Sequence, residues 1–198
     1  MITMKNVLKE GNPLLNEKSI DVNLPLSVED ENILRDMIDY VKESIKEENI
    51  DNPDYRPAVG IAAPQIGVLK KMIAIIAPDE HYKDHELFLV NPKILSYSDE
   101  LAYLPGGEGC LSVDRKCDAY IFRPRRTMIE SYVYNYETRE LKKERIKLKG
   151  YLSVVFNHEF DHLNGILFVS KANPINPYEI PDNASPIIFD DEKNEEQK

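Results

Sequence analysis

Cysteine is scarce in this chain: 198 residues hold two, Cys110 and Cys117. One disulfide is the most they allow. A reducing interior keeps such thiols free, so metal binding or simple burial suits both better. No apolar run reaches the roughly 18–20 residues of a membrane span. The N-terminal stretch lacks the apolar core, about 7–15 residues long, of a secretory signal. It also carries Glu10 and Glu17, unlike an acid-poor transit peptide. These absences predict a cytoplasmic protein with no membrane partner. A broad basic face is missing too. The net charge is −10. Ser27–Asn49 holds eight acidic and three basic residues, and Asp190–Lys198 five and two, so the remainder is nearly neutral. Direct nucleic-acid binding is disfavoured, and the acidic excess reads as a solubility feature.

What is present is ordinary for a globular protein, with 42% hydrophobic and 30% charged residues. Neither repeats nor low-complexity linkers divide it. The expectation is one domain over residues 1–189 and an acidic, disordered tail over 190–198. Residues 1–26 are irregular, broken by Pro13 and Pro25. Ser27 is placed as a helix N-cap with Asp30 three residues on. Ile33, Leu34, Met37, Ile38, Val41 and Ile45 then recur at helical spacing, predicting an amphipathic helix that ends near Asn49. Strands are predicted over Met72–Ile76, Leu87–Val90, Tyr120–Phe122, Thr127–Asn135 and Glu144–Leu148. A second helix runs from Gly150 and stops at Asn164-Gly165. A last short strand is placed at Leu167–Val169. Pro174, Pro177, Pro181 and Pro186 exclude a C-terminal helix. The fold class is therefore α+β: mixed or antiparallel sheets wrapped around a central helix, plus the N-terminal amphipathic helix.

The central helix carries the strongest motif, His158-Glu159-Phe160-Asp161-His162. Residues four apart lie on one helical face, so two imidazoles can chelate one ion. Glu159 sits beside them, within reach of a water on that ion. A catalytic ion needs a third protein ligand and an open position. The extended protease motif H-E-x-x-H-x-x-G-x-x-H fails here, because Phe168 stands where its last His belongs. Glu179 lies in the Pro-rich end, where no helix forms. His81 and His85 are also four apart, but in a polar stretch that reads as a solvated loop. Cys110 is the better donor. Three glycines within Gly106–Gly109 let the backbone approach closely, and a Cys-His-His set suits a borderline-soft divalent ion. Cys117 lacks such surroundings and is left as a core or partly exposed thiol.

Three segments resemble the peptide deformylase family. Ala58–Gly67 (AVGIAAPQIG) is similar to its G-φ-G-φ-A-A-P-Q, Glu108–Ser112 is its E-G-C-L-S unaltered, and Asn157–His162 is similar to its Q-H-E-x-D-H. Their order and separation bring most of residues 55–170 into the match. LPGGEGCLSVD, the insert before Gly60 and the non-helical end resemble the Gram-positive-type class. Two positions depart. Ala58 replaces a glycine, which requires negative φ there. Asn157 replaces a glutamine one methylene longer.

The resemblance implies removal of the formyl group from N-terminal formylmethionine of new polypeptides. It implies Fe²⁺ as the ion, with Zn²⁺, Ni²⁺ or Co²⁺ able to replace it. It assigns metal binding to Cys110, His158 and His162, the base role to Glu159, and oxyanion stabilisation to the Gln65 side chain and the Leu111 backbone N–H. Gly60 is expected to pair with the peptide backbone as an edge strand does. Val59, Val154, Val155 and Tyr151 are placed to line the pocket for the Met side chain, although Tyr151 reads equally as core. Arg123 is expected to pair with Glu108 and brace the Cys110 loop. Asp161 is read either as an acceptor for an imidazole N–H or as a helix-surface carboxylate. The expected partners are formylated nascent N-termini and, transiently, the ribosome; the chain is expected to act as a monomer. Two other classes compete: a zinc endoprotease using HEFDH with another third ligand, and a non-catalytic metal-binding or ribosome-associated module. An intact Glu159 and Gln65 weigh against the latter, since neither is needed to hold metal.

Overall fold

Helix α1 (Val28–Ser44) begins where the Asp30 backbone N–H donates to Ser27 Oγ at 3.0 Å. This computed structural model describes residues 1–190. The expected acidic tail, Asp190 apart, therefore lies outside the described residues. Glu29, Asp30 and Glu31 fill the first turn of α1, where the helix dipole favours negative charge. Leu34, Met37, Ile38 and Val41 form its fully buried face. The helix stops at Ser44, before the expected Asn49. Ser44 Oγ donates to the Val41 carbonyl at 3.0 Å and Asn49 Nδ2 to the Glu43 carbonyl at 3.0 Å. The Val41 and Glu43 carbonyls are thus satisfied, and the chain turns into a separate 3-10 segment, Glu47–Asn49.

Five strands build an antiparallel sheet in the order β1 (Gly60–Ala62), β2 (Met72–Pro78), β3 (Asp84–Tyr97), β6 (Arg126–Tyr134), β7 (Leu141–Lys149). A second sheet has the order β5 (Arg123–Pro124), β4 (Leu101–Tyr103), β8 (Ala184–Pro186). In it β4 pairs antiparallel with β5 and parallel with β8. The long sheet has a helix on each face. Side chains alternate along a strand, so Met72 and Ala74 of β2 join Leu34, Met37 and Val41 of α1 in one core cluster. Ile73 and Ile75 face the other way and pack with Val155 and Phe156 of α2 (Gly150–Leu163). Strand β2 is buried on both faces, which accounts for its unbroken apolar run. Each fully buried aliphatic side chain contributes roughly 1.5–3 kcal/mol.

In helix α2, Val154 packs with Ala102 of β4 and Phe156 with the β2 side. At its end, Asn164 Nδ2 donates to the Phe160 carbonyl at 2.8 Å. None of the described helices is long and apolar enough to cross a membrane.

Two expected strands are absent among the described residues. Tyr120–Phe122 is irregular; Tyr120 donates its backbone N–H to the Pro177 carbonyl at 2.8 Å, and its ring packs on Tyr103 and Tyr178. Leu167–Val169 leads into a 3-10 segment, Phe168–Lys171, because Leu167 and Phe168 bury against Leu15 and Cys110 rather than along a strand. Conversely β4, β5 and β8 were not anticipated.

Candidate metal centre

The loop before Cys110 turns where Gly107 N–H donates to the Leu104 carbonyl at 2.9 Å. It returns through a bridge between Cys110 and Val113. That path brings Cys110 to α2. One donor atom from each of Cys110, His158 and His162 falls within a single 4.8 Å cluster, and all three residues are buried. The Cys110 sulfur lies 3.3 Å from His162 Nε2. It also receives the Ser112 backbone N–H at 3.4 Å and Gln65 Nε2 at 3.5 Å. The histidine rings sit one turn apart, 5.2 Å between centroids and inclined at 71°. His158 Nδ1 is held by Glu108 Oε2 at 2.7 Å, which leaves Nε2 for the cluster. One thiol sulfur and two imidazole nitrogens, close together and buried, are a donor set that fits a divalent transition-metal ion.

Behind the donors runs a chain of charges. Arg123, 1% exposed, grips Glu108 with two bonds of 2.5 and 2.8 Å and reaches Asp161 at 2.7 Å. Lys171 adds a contact to Asp161 at 2.9 Å. Asp161 is therefore neither a surface carboxylate nor an imidazole acceptor; its partners are cations. Burial would raise the Glu108 carboxyl, but the Arg123 charge, with hydrogen bonds from Arg123 and His158, holds it at about 2. Burial likewise opposes charge on His158, yet hydrogen bonds with Cys110 and Glu108 push its pKa up to about 10. His162 moves the opposite way, well below the usual histidine range, because it is buried beside His158 and Arg123.

Glu159 is 5% exposed and its Oε2 has no hydrogen-bond partner. Burial lifts its carboxyl to about 7, against the lowering charges of His158 and Arg123. It faces Gly60 so closely that a Cβ there would stand 2.7 Å from Oε1. Gln65 is oriented by the Ala62 backbone N–H, which donates to Oε1 at 2.8 Å. The amide nitrogen must then point at Cys110 Sγ and at Ser112 Oγ, 3.3 Å away.

These groups open on a cleft of about 570 Å³. Val59, Gly60, Gln65, Cys110, Leu111, Tyr151, Val154, Val155, His158 and Glu159 all line it, whereas His162 lies deeper. His81 and His85 stay outside: His81 pairs with Asp190 at 2.7 Å and His85 with Asp79 at 3.0 Å. Cys117 is a half-buried free thiol. Sequence reasoning missed Leu104, Ile45 and Arg56 in the cleft lining. It also missed Ser112 beside Gln65, although Ser112 sits inside a quoted motif.

The sequence model of the family described as Polypeptide deformylase matches residues 4–178. A peptide deformylase of Oceanobacillus iheyensis is 45% identical over 187 residues, spanning 94% of this chain and 100% of that protein. Peptide deformylase 2 of Geobacillus stearothermophilus is 44% identical, spanning 94% and 99%. Among solved structures, a class I type b peptide deformylase of Acinetobacter baumannii bound to Met-Ala-Ser is 28% identical with a TM-score of 0.64, covering 83% of this chain and 96% of that one. The actinonin-bound form of that class matches at 26% identity and a TM-score of 0.65, covering 87% and 100%.

Proposed function

This chain belongs to the polypeptide deformylase family, and we propose that its cleft hydrolyses the N-formyl group of formylmethionine at the start of new polypeptides, releasing formate. The observation that carries this reading is the cluster of Cys110, His158 and His162 beside a buried, unpaired Glu159 oxygen. Cys110, His158 and His162 would hold the ion. When bound, such a cation would supply the Lewis acidity that activates water for attack at neutral pH. Ferrous iron is our reading of that ion, with Zn²⁺, Ni²⁺ or Co²⁺ able to take the same sulfur and nitrogen donors.

The residues of the chain divide the remaining work. Strand β1 is an edge of the long sheet, so Gly60 offers unpaired backbone groups to an extended peptide. Val59, Tyr151, Val154 and Val155 form the apolar wall for the methionine side chain. Glu159, raised to about 7, takes a proton from the attacking water and gives it to the departing amine. The charge developing on the formyl oxygen meets the Gln65 amide and the Leu111 N–H, donors worth roughly 3–4 kcal/mol each in comparable sites.

The domain spans residues 1–189. It works as a cytoplasmic monomer on nascent chains and meets the ribosome transiently. Both sheets are arranged about α2 as the central element. The test is Glu159→Ala, assayed for formate release from a formyl-Met peptide with metal content measured in parallel. Lost activity with metal retained is expected; full activity with full metal would remove Glu159 from the base role. Parallel assays on unformylated peptides separate deformylation from internal proteolysis.

A further inference from the structure

The wall of the cleft that faces the methionine side chain has a second layer. Leu104, Tyr151 and Val154 line the cleft, and all three also pack in one cluster with Ala102, Ile187 and Phe189. The last two come from the segment after β8. Ile187 is 2% exposed and donates its backbone N–H to the Tyr103 carbonyl at 2.8 Å, continuing the pairing of β8 with β4. The Phe189 ring meets Tyr151 edge-on, 5.3 Å between centroids at 68°, and has Tyr82 on another side at 5.5 Å. Asp190 N–H donates to the Glu80 carbonyl at 3.1 Å, and its carboxylate meets His81 Nδ1 at 2.7 Å.

Glu80, in the turn between β2 and β3, also reaches the start of α2. Glu80 Oε1 accepts the Tyr151 backbone N–H at 3.1 Å, capping a helix whose own N-cap residue, Lys149, provides no side-chain bond. Gly150 has φ +53°, a left-handed conformation that favours glycine, and a Cβ there would also displace that carboxylate. Tyr151 is thus fixed from outside the cleft at both ends. Glu80 holds its backbone, and Phe189 backs its ring.

We propose that the C-terminal segment Ile187–Asp190 is a specificity brace, with Phe189 a positioning residue that sets where Tyr151 stands and hence the width of the pocket for the substrate's first side chain. This rests on the deformylase reading above. An edge-on aromatic pair fixes ring orientation as well as volume, and a pocket discriminates among apolar side chains only as sharply as its wall is held in place. A segment that merely completed the core would affect every substrate alike. A brace behind Tyr151 changes the ratio between substrates.

The full chain, metal-loaded, is compared with Phe189→Ala and Phe189→Tyr on formyl-Met and formyl-Phe tripeptides by formate release. Phe189→Ala is expected to raise KM for the formyl-Met peptide roughly tenfold with kcat nearly unchanged, and to shift the formyl-Phe to formyl-Met ratio of kcat/KM upward by roughly tenfold. Calorimetric binding of the deformylated Met tripeptide should weaken by the same factor. Phe189→Tyr keeps the ring and should keep the parental ratio. Phe189→Leu, which keeps apolar volume but loses the ring edge, serves if the alanine variant does not fold, and shifts the ratio in the same direction. An unchanged ratio in the folded variant, or equal losses on both peptides, overturns the brace. Absence of formate release by the unaltered chain overturns instead the deformylase reading.

Discussion

Replacing Gly60 with alanine tests the placement of Glu159 with a single methyl group. The new Cβ would stand 2.7 Å from Glu159 Oε1 and 3.0 Å from Cγ and Cδ, whereas ordinary contact begins at 3.4 Å. Since 3.4 less 2.7 leaves 0.7, the carboxylate must retreat by about 0.7 Å. Gly60 is not among the positive-φ glycines, so alanine suits the backbone, and the strain is taken up by the end of one side chain. The expected stability loss is near the lower end of overpacking, about 1 kcal/mol. The catalytic loss is larger. Misplacing a reacting group by about 1 Å costs on the order of a hundredfold. A retreat of this size should lower kcat roughly 10- to 100-fold, or about 1.4–2.7 kcal/mol of transition-state stabilisation. The assay is formate release at saturating formyl-Met peptide, with metal content and melting temperature recorded on the same preparation. A folded, metal-loaded Gly60→Ala protein with kcat within about twofold of the parent would refute the reasoning, because the observed Glu159 position would then be irrelevant to the rate.

Three further outcomes are expected. Arg123→Ala leaves Glu108 and Asp161 buried without their shared cation and should cost about 3–5 kcal/mol in urea unfolding; a loss under about 1 kcal/mol would mean that the network is not stabilising. Because burial raises Glu159 to about 7, its basic form fills as pH rises through that value. The kcat/KM profile should therefore climb about tenfold per unit below pH 7 and flatten above, and a limb centred near the ordinary 4.5 would contradict the assignment. Gln65→Ala removes a donor already oriented by Ala62, so kcat should fall about 10²–10³-fold with metal content unchanged; an effect confined to KM would recast Gln65 as a binding residue.

The parts of the site that rest on local spacing were readable from sequence. Four-residue separation puts His158 and His162 on one helical face whatever the rest of the chain does. The glycine-rich loop around Cys110 marked it as the third donor, the resemblance of Glu108–Ser112 agreed, and the Arg123–Glu108 pair is present as expected, at 2.5 and 2.8 Å. Long-range pairing was not readable. Strand β8 has three residues and joins β4 in parallel across more than eighty positions, and no periodicity in a Pro-rich stretch announces that. Local spacing leaves Asp161 open between acceptor and surface group because its real partners, Arg123 and Lys171, lie on other segments. Glu80 caps a helix that begins seventy residues later. Short segments mislead for a related reason: Tyr120–Phe122 and Leu167–Val169 are apolar because they are buried, and burial alone does not make a strand.

The chain of charges behind the donors has a consequence for how an ion arrives. Glu108 is tied at once to His158 on α2 and to Arg123 on β5, while Arg123 returns to Asp161 on the helix. Loop, strand and helix are locked together by contacts among the chain's own side chains. Loading and exchange can then proceed on the folded protein, and stripping the ion should leave the backbone frame standing. Small zinc modules that collapse when chelated are the contrast that circular dichroism after chelation would test.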